Sequence, residues 1–378
     1  MRKLRLLTAG PVDVDDDVLA ALAEPTLPHY GPPWMPAYES TIFLLHELFE
    51  TDHDVLIMPG PGSGALDMGI GSLIPAGSTI CVPVNGYFGE RVQQMVEAYD
   101  IHAARLDFPL GAAVDPGALR AFLGDEVPRA GSEGRPMKAL VVVHHETSTG
   151  VLNPLEDIAR VAHEFDLAVI VDAVASAGGT RLPVDAWGID ICVTVPNKCL
   201  GAPPGVSMAT VSPRAWALAE ANPARHGWYH DLRTWAWYRK YEEEWHPYPT
   251  TLPTNVIVAL RKALSILLHD KGVEAARAEL QLAAQHVREG MSELGFGMFP
   301  DPDFAAPMLS AFHSHPELST ADLTQFLLDE RGLMISGGLR DLKGRMFRIG
   351  HMGGASSPEV IEALLSGVGD FLRSHGGR

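Results

Sequence analysis

Continuous apolar runs too short to cross a membrane recur along the chain, and segments with helical spacing lie between them. Strands are predicted at 54–59, 79–84, 139–144, 168–172 and 189–195, with an extended entry at 6–10. Helices are predicted at 15–22, 35–49, 65–73, 89–98 and 154–165; the second carries Tyr38, Ile42, Leu45 and Leu48 on one stripe. Strands that read as unbroken apolar runs are buried on both faces, so this alternation predicts a mostly parallel sheet covered by helices. After long helices at 255–268 and 273–294 the pattern changes. Strands at 308–313, 333–336 and 346–349 and helices at 320–331 and 358–372 predict a smaller α+β unit. The chain is therefore divided into 1–270, an amino-terminal segment with the large α/β domain, and 271–378, a small carboxyl-terminal domain. No regular element is assigned to 124–136, a polar insertion containing glycine.

Composition narrows the class. The chain has 378 residues, 46% hydrophobic and 20% charged, which fits a folded protein larger than one core of roughly 250–300 residues. A formal net charge of −18 disfavours nonspecific attraction to nucleic acid or an anionic membrane, while leaving room for a local arginine to hold a small anion. The segment Met1 to Leu7 is too short for a secretory leader, and no apolar run reaches the roughly 18 residues of a spanning helix. Cys81, Cys192 and Cys199 have no paired spacing and read as reduced thiols of a cytoplasmic protein. His144-His145-Glu146 lacks the second histidine of a helical zinc motif, so no metal site is expected.

Candidate chemistry gathers at the predicted strand ends. In a parallel sheet the polar residues at the carboxyl ends converge on one edge, where α/β enzymes place ligands. Lys198 follows one apolar strand and enters a Gly/Pro-rich turn; Asp172 ends the preceding one. A lysine that can condense with an aldehyde and an acid that can pair with a pyridine nitrogen suit pyridoxal phosphate (PLP). Taken alone, the lysine also reads as a solvated loop residue. Gly60-Pro61-Gly62-Ser63-Gly64 joins a strand to a helix; it could cradle phosphate through backbone N–H groups and Ser63, or serve only the turn. The aromatic stretch 228–246 reads equally as an interface, an active-site wall or a packed surface helix.

Several ordered motifs extend the comparison over nearly the whole chain. His145-Glu146-Thr147-Ser148-Thr149-Gly150, Val171-Asp172-Ala173-Val174-Ala175-Ser176, Asn197-Lys198 with Ala202-Pro203-Pro204-Gly205, and Arg348-Ile349-Gly350-His351-Met352-Gly353 occur in this order. With Thr8-Ala9-Gly10-Pro11 they resemble the class V group of fold-type I PLP aminotransferases, in its alanine-glyoxylate and serine-glyoxylate branch. The resemblance implies that Lys198 is the Schiff-base lysine and proton carrier, and that Asp172 pairs with the pyridine nitrogen. It places Phe88 and Val174 on the two ring faces, Ser148 beside the cofactor, and Gly62, Ser63, Gly64 and Asn197 around the phosphate. Tyr248 and Thr251 match a segment that reaches a neighbouring subunit's phosphate, which implies a homodimer with shared sites. Arg348 is the expected clamp for a substrate carboxylate, with the backbone of Ala9 and Gly10 nearby.

The implied reaction is transamination between a small amino acid such as alanine or serine and glyoxylate or pyruvate. A likeness to pyridoxamine-pyruvate aminotransferase supplies an alternative, in which free pyridoxamine is the amino donor. Asn197, where many relatives carry glutamine, points that way; Pro61 in place of a glutamate and Leu339 in place of an arginine point against it. Cysteine desulfurases and kynureninases share the lysine and acid, but neither Cys192 nor Cys199 lies on an evident flexible lid.

Overall fold

A computed structural model describes residues 4–375. The strands in chain order are β1 (Arg5–Leu7), β2 (Asp54–Pro59), β3 (Thr79–Val84), β4 (His102–Asp107), β5 (Met137–Val143), β6 (His145–Glu146), β7 (Val151–Leu152), β8 (Ala168–Asp172), β9 (Ile191–Thr194), β10 (Val206–Val211), β11 (Leu309–His313), β12 (Leu333–Gly337) and β13 (Met346–Gly350). Seven of them form one sheet in the order β2-β10-β9-β8-β5-β3-β4. Every neighbouring pair is parallel except the two made by β10, which runs antiparallel to both β2 and β9. The expected parallel α/β sheet is present, with one reversed strand that makes it mixed.

The covering helices follow from apolar spacing. Leu155–Glu164 buries Leu155, Ile158, Ala159 and Ala162 on one side and sets Glu156 and Asp157 in its first turn, where negative charge complements the helix dipole. Gly62–Leu73 is buried along most of its length, packed between the sheet and the helices Pro213–Ala221 and Leu232–Tyr241. The absence of an element at 124–136 is corrected: Pro116–Ser132 is a helix, capped by Asp115 and buried through Leu119, Leu123 and Ala130. Its interior Gly124, Pro128 and Gly131 hide the repeat, and Arg129 holds the last turns through Glu126 and Glu133.

A four-stranded sheet, β1-β12-β13-β11, backs onto the helices Val273–Glu293 and Pro358–His375 around a separate apolar core that includes Phe312, Phe347, Leu364 and Phe371. Its first strand comes from the opposite end of the chain, since β1 pairs in parallel with β12. The amino-terminal segment therefore leaves the small sheet at Leu7 and passes directly across the edge of the large one. No helix among the described residues is long and apolar enough to cross a membrane.

Candidate active site

The carboxyl ends of β2, β5, β8 and β9 and the start of β10 surround a cavity of about 480 Å³, within the roughly 300–1,000 Å³ common for small-molecule sites. Its walls include Gly62 and Ser63 after β2, Phe88 after β3, Asp172 and Val174 after β8, and Asn197 and Lys198 after β9. Each comes from a different strand end, so sheet order brings together residues far apart in sequence. A second cavity, of about 500 Å³, lies behind the Cys199–Gly201 turn. Its two cationic side chains are already paired, Arg5 with Asp13 and Lys271 with Glu279.

Burial governs the charges here. The Lys198 amine is pushed below its ordinary pKa by desolvation, which the nearby Cys199 and Asp172 partly oppose, and its Nζ donates to the Ala9 carbonyl. Asp172 is raised by desolvation against the pull of a Val174 N–H at 3.0 Å and the charge of Lys198. Both shifts favour neutral forms, the condition in which an amine is nucleophilic. Gly10 explains the close contact with the amino-terminal segment. It has φ +107°, and a Cβ placed there would fall 2.4 Å from the Lys198 side chain.

Arg348 borders the cavity behind Thr147. It is buried, and its guanidinium donates to carbonyls only: Gly337 at 2.6 and 3.1 Å and Thr147 at 3.2 Å. Desolvation lowers it to about 10, against the attraction of Glu146. A buried guanidinium with no carboxylate bound is suited to receive one.

Some expected site residues stand elsewhere. Ser148 is buried outside the cavity lining; its hydroxyl donates to Glu146 at 2.5 Å and accepts from the Tyr87 N–H at 2.9 Å, so it supports the Phe88 turn. Gly64 lies beyond the lining, its N–H given to the Pro61 carbonyl at 2.8 Å. Tyr248 stands outside the cavity lining of its own chain. It is fully buried, its hydroxyl donating to the His29 carbonyl at 2.5 Å and accepting from Trp34 at 2.6 Å. Thr251 is exposed. The sequence reading overlooked Arg91, Thr147 and His145 as cavity residues. His145 gives Nδ1 to the Ala175 carbonyl at 3.0 Å, leaving Nε2 without a partner, and burial lowers its pKa to about 4.

The cavity fits PLP on its own chemistry. It offers an amine, an acid and the first turn of the helix Gly62–Leu73, whose leading N–H groups have no intrahelical acceptor. Close backbone approach is built in at Gly62, where a Cβ would lie 2.6 Å from Val174 Cγ2 and 3.0 Å from Val195 Cγ1.

Fold and cavity together define a PLP-dependent transferase of fold type I. Residues 134–354 match the family model for class-V aminotransferases, and the chain belongs to that family. It is 35% identical over 96% of its length to an uncharacterised aminotransferase of Methanocaldococcus jannaschii, covering 91% of that protein. It is 31% identical to a pyridoxamine–pyruvate transaminase of Mesorhizobium japonicum, with 98% and 92% of the two chains covered. The crystal structure of an alanine–glyoxylate aminotransferase from Nostoc sp. superposes with a TM-score of 0.91 at 28% identity, covering 99% of this chain and 96% of the other. The chain is thus a transaminase acting on small amino and oxo acids, and its family implies a PLP cofactor.

Proposed function

We propose that the protein transfers an amino group from a small amino acid such as alanine or serine to glyoxylate or pyruvate. The observation that carries this reading is the convergence of Lys198, Asp172 and the Gly62–Ser63 helix start on one cavity bordered by the unpaired guanidinium of Arg348. PLP, when bound, supplies the electron sink that makes a substrate Cα–H acidic. Lys198 would hold its aldehyde, Asp172 its pyridine nitrogen, Phe88 and Val174 its ring faces, and Gly62, Ser63 and Asn197 its phosphate. Lys198 Nζ then carries a proton to and from the substrate Cα, and its lowered basicity suits that exchange. Arg348 binds the substrate carboxylate, and the Ala9–Gly10 backbone closes that end. The functional unit would be a homodimer, as the likeness of the Tyr248–Thr251 segment implies, with the exposed Thr251 meeting the second subunit.

Lys198→Ala tests the assignment: loss of the bound-cofactor absorbance and of nearly all amino transfer is expected, and near-normal turnover would refute it. A second reading, with free pyridoxamine as donor, draws on the short Asn197 amide and the similarity to the Mesorhizobium japonicum protein. Retention of phosphorylated cofactor through gel filtration favours the first reading. Turnover of free pyridoxamine with pyruvate by cofactor-free protein favours the second.

A further inference from the structure

Arg91 has no part in the roles above, yet it lines the same cavity. It stands three residues after Phe88 on the helix Tyr87–Glu97, with its guanidinium carbon 4.8 Å from the Phe88 ring centre and 5.1 Å from that of Tyr87. Its one side-chain hydrogen bond among the described residues is a long one, 3.4 Å to the Tyr87 hydroxyl. The adjacent acid does not neutralise it: Glu90 pairs with Arg340 at 2.6 Å and with Arg105 at 3.9 Å. The carboxylate of Asp172 accepts the Val174 N–H.

Stacking occupies the faces of a guanidinium and leaves its in-plane N–H edge free, the edge that grips a carboxylate with two bonds. Two guanidinium groups from different parts of the fold therefore stand near the cavity, Arg91 in its lining and Arg348 behind Thr147, where it donates to the Gly337 and Thr147 carbonyls. Arg348 comes from the small sheet, and Arg91 from a helix of the large domain. A monocarboxylate donor needs only one.

We propose that Arg91 is a specificity residue that binds a second anionic group on the substrate, so that acidic amino donors are taken in preference to neutral donors of the same shape. This rests on the transaminase reading and adds to it the charge of the substrate side chain.

Aspartate and asparagine have nearly the same shape and differ in that charge. In half-reactions with the holoenzyme, kcat/KM for L-aspartate should exceed that for L-asparagine by about tenfold or more, the scale of one well-formed charged pair. Arg91→Gln should bring the ratio close to one, mainly through KM, while Arg91→Lys, which keeps the charge, should retain a clear preference. Binding provides a readout separate from turnover: calorimetric titration of the holoenzyme should show succinate binding about tenfold tighter than succinamate, with the difference lost in Arg91→Gln. A wild-type ratio near one, or a preference that survives Arg91→Gln, overturns the proposal. If alanine is turned over under those conditions the transaminase reading still stands; if no amino donor reacts, both fall.

Discussion

Gly62 and Gly64 sit two residues apart in one glycine-rich turn, yet the space around them differs. A Cβ on Gly62 would press into Val174 at 2.6 Å and Val195 at 3.0 Å, whereas on Gly64 its nearest neighbour is His230 Nε2 at an ordinary 3.7 Å. Both residues are helical, with backbones that alanine tolerates. Gly62→Ala should therefore cost about 1–3 kcal/mol, the usual penalty for overpacking. It should also loosen cofactor retention, because Val174 and the helix start both line the cavity. Gly64→Ala should be neutral or stabilising by about 0.4–1 kcal/mol through the unfolded chain. Thermal unfolding and cofactor absorbance after gel filtration check the pair; equal effects at the two positions would contradict the packing argument. The five-residue sequence cannot separate them, since the distinction lies in side chains that follow β8 and β9.

Between elements, Glu146 joins the β6 strand to the start of the helix Tyr87–Glu97. Its two oxygens accept from Phe88 N at 2.9 Å, Gly89 N at 3.1 Å, and Ser148 N and Oγ at 3.0 and 2.5 Å. The carboxylate is fully buried and its pKa is raised by desolvation, which those four donors oppose. Glu146→Ala leaves three N–H groups buried without acceptors and should destabilise the fold by at least about 2 kcal/mol. Glu146→Gln should also be costly, because one amide end would turn a donor toward backbone donors. Denaturant unfolding measures both, and a neutral Gln variant would show that the acceptor set is not needed. This network also explains where the sequence was legible. Lys198 and Asp172 were readable because apolar runs fix strand ends, and parallel order collects those ends on one edge; Phe88, Val174 and Asn197 were reached only through the resemblance of the ordered motifs. The role of Ser148 was not readable, because its partner is an acid in the same turn whose other contacts lie some sixty residues earlier. Arg91 was overlooked because a charged residue on a helix reads as solvated until the cavity beside it is known. Strand β4 was missed for another reason: as an edge strand paired only with β3, it lacks the unbroken apolar run of its interior neighbours.

Across the whole molecule, three buried histidines tie stability to acidity. His144, His145 and His351 are pushed to about 3, 4 and 3 by desolvation, far below the ordinary 6.5. The unfolded chain therefore takes up protons on these groups as pH falls below 6.5, while the folded chain does not until about pH 4 or lower. Their contribution is complete above 6.5 and is lost on acidification through that window, each by up to about 1.4 kcal/mol per pH unit. Asp172 and Glu146, raised by burial, work in the opposite direction over the lower part of the window, and relief of self-repulsion in a chain of formal charge −18 also opposes the loss. A wild-type profile alone mixes these effects; a variant isolates one. His351 gives Nδ1 to the Pro307 carbonyl at 3.1 Å, and asparagine can present an amide N–H at a comparable position without titrating. Denaturant unfolding of wild type and His351→Asn at intervals from pH 7 to pH 5 should give two curves whose separation changes steadily below pH 6.5, as the variant loses less stability. Subtraction removes the carboxylates and the net charge, which the two proteins share. A constant separation across the range would mean that His351 does not enter the linkage, whatever its burial.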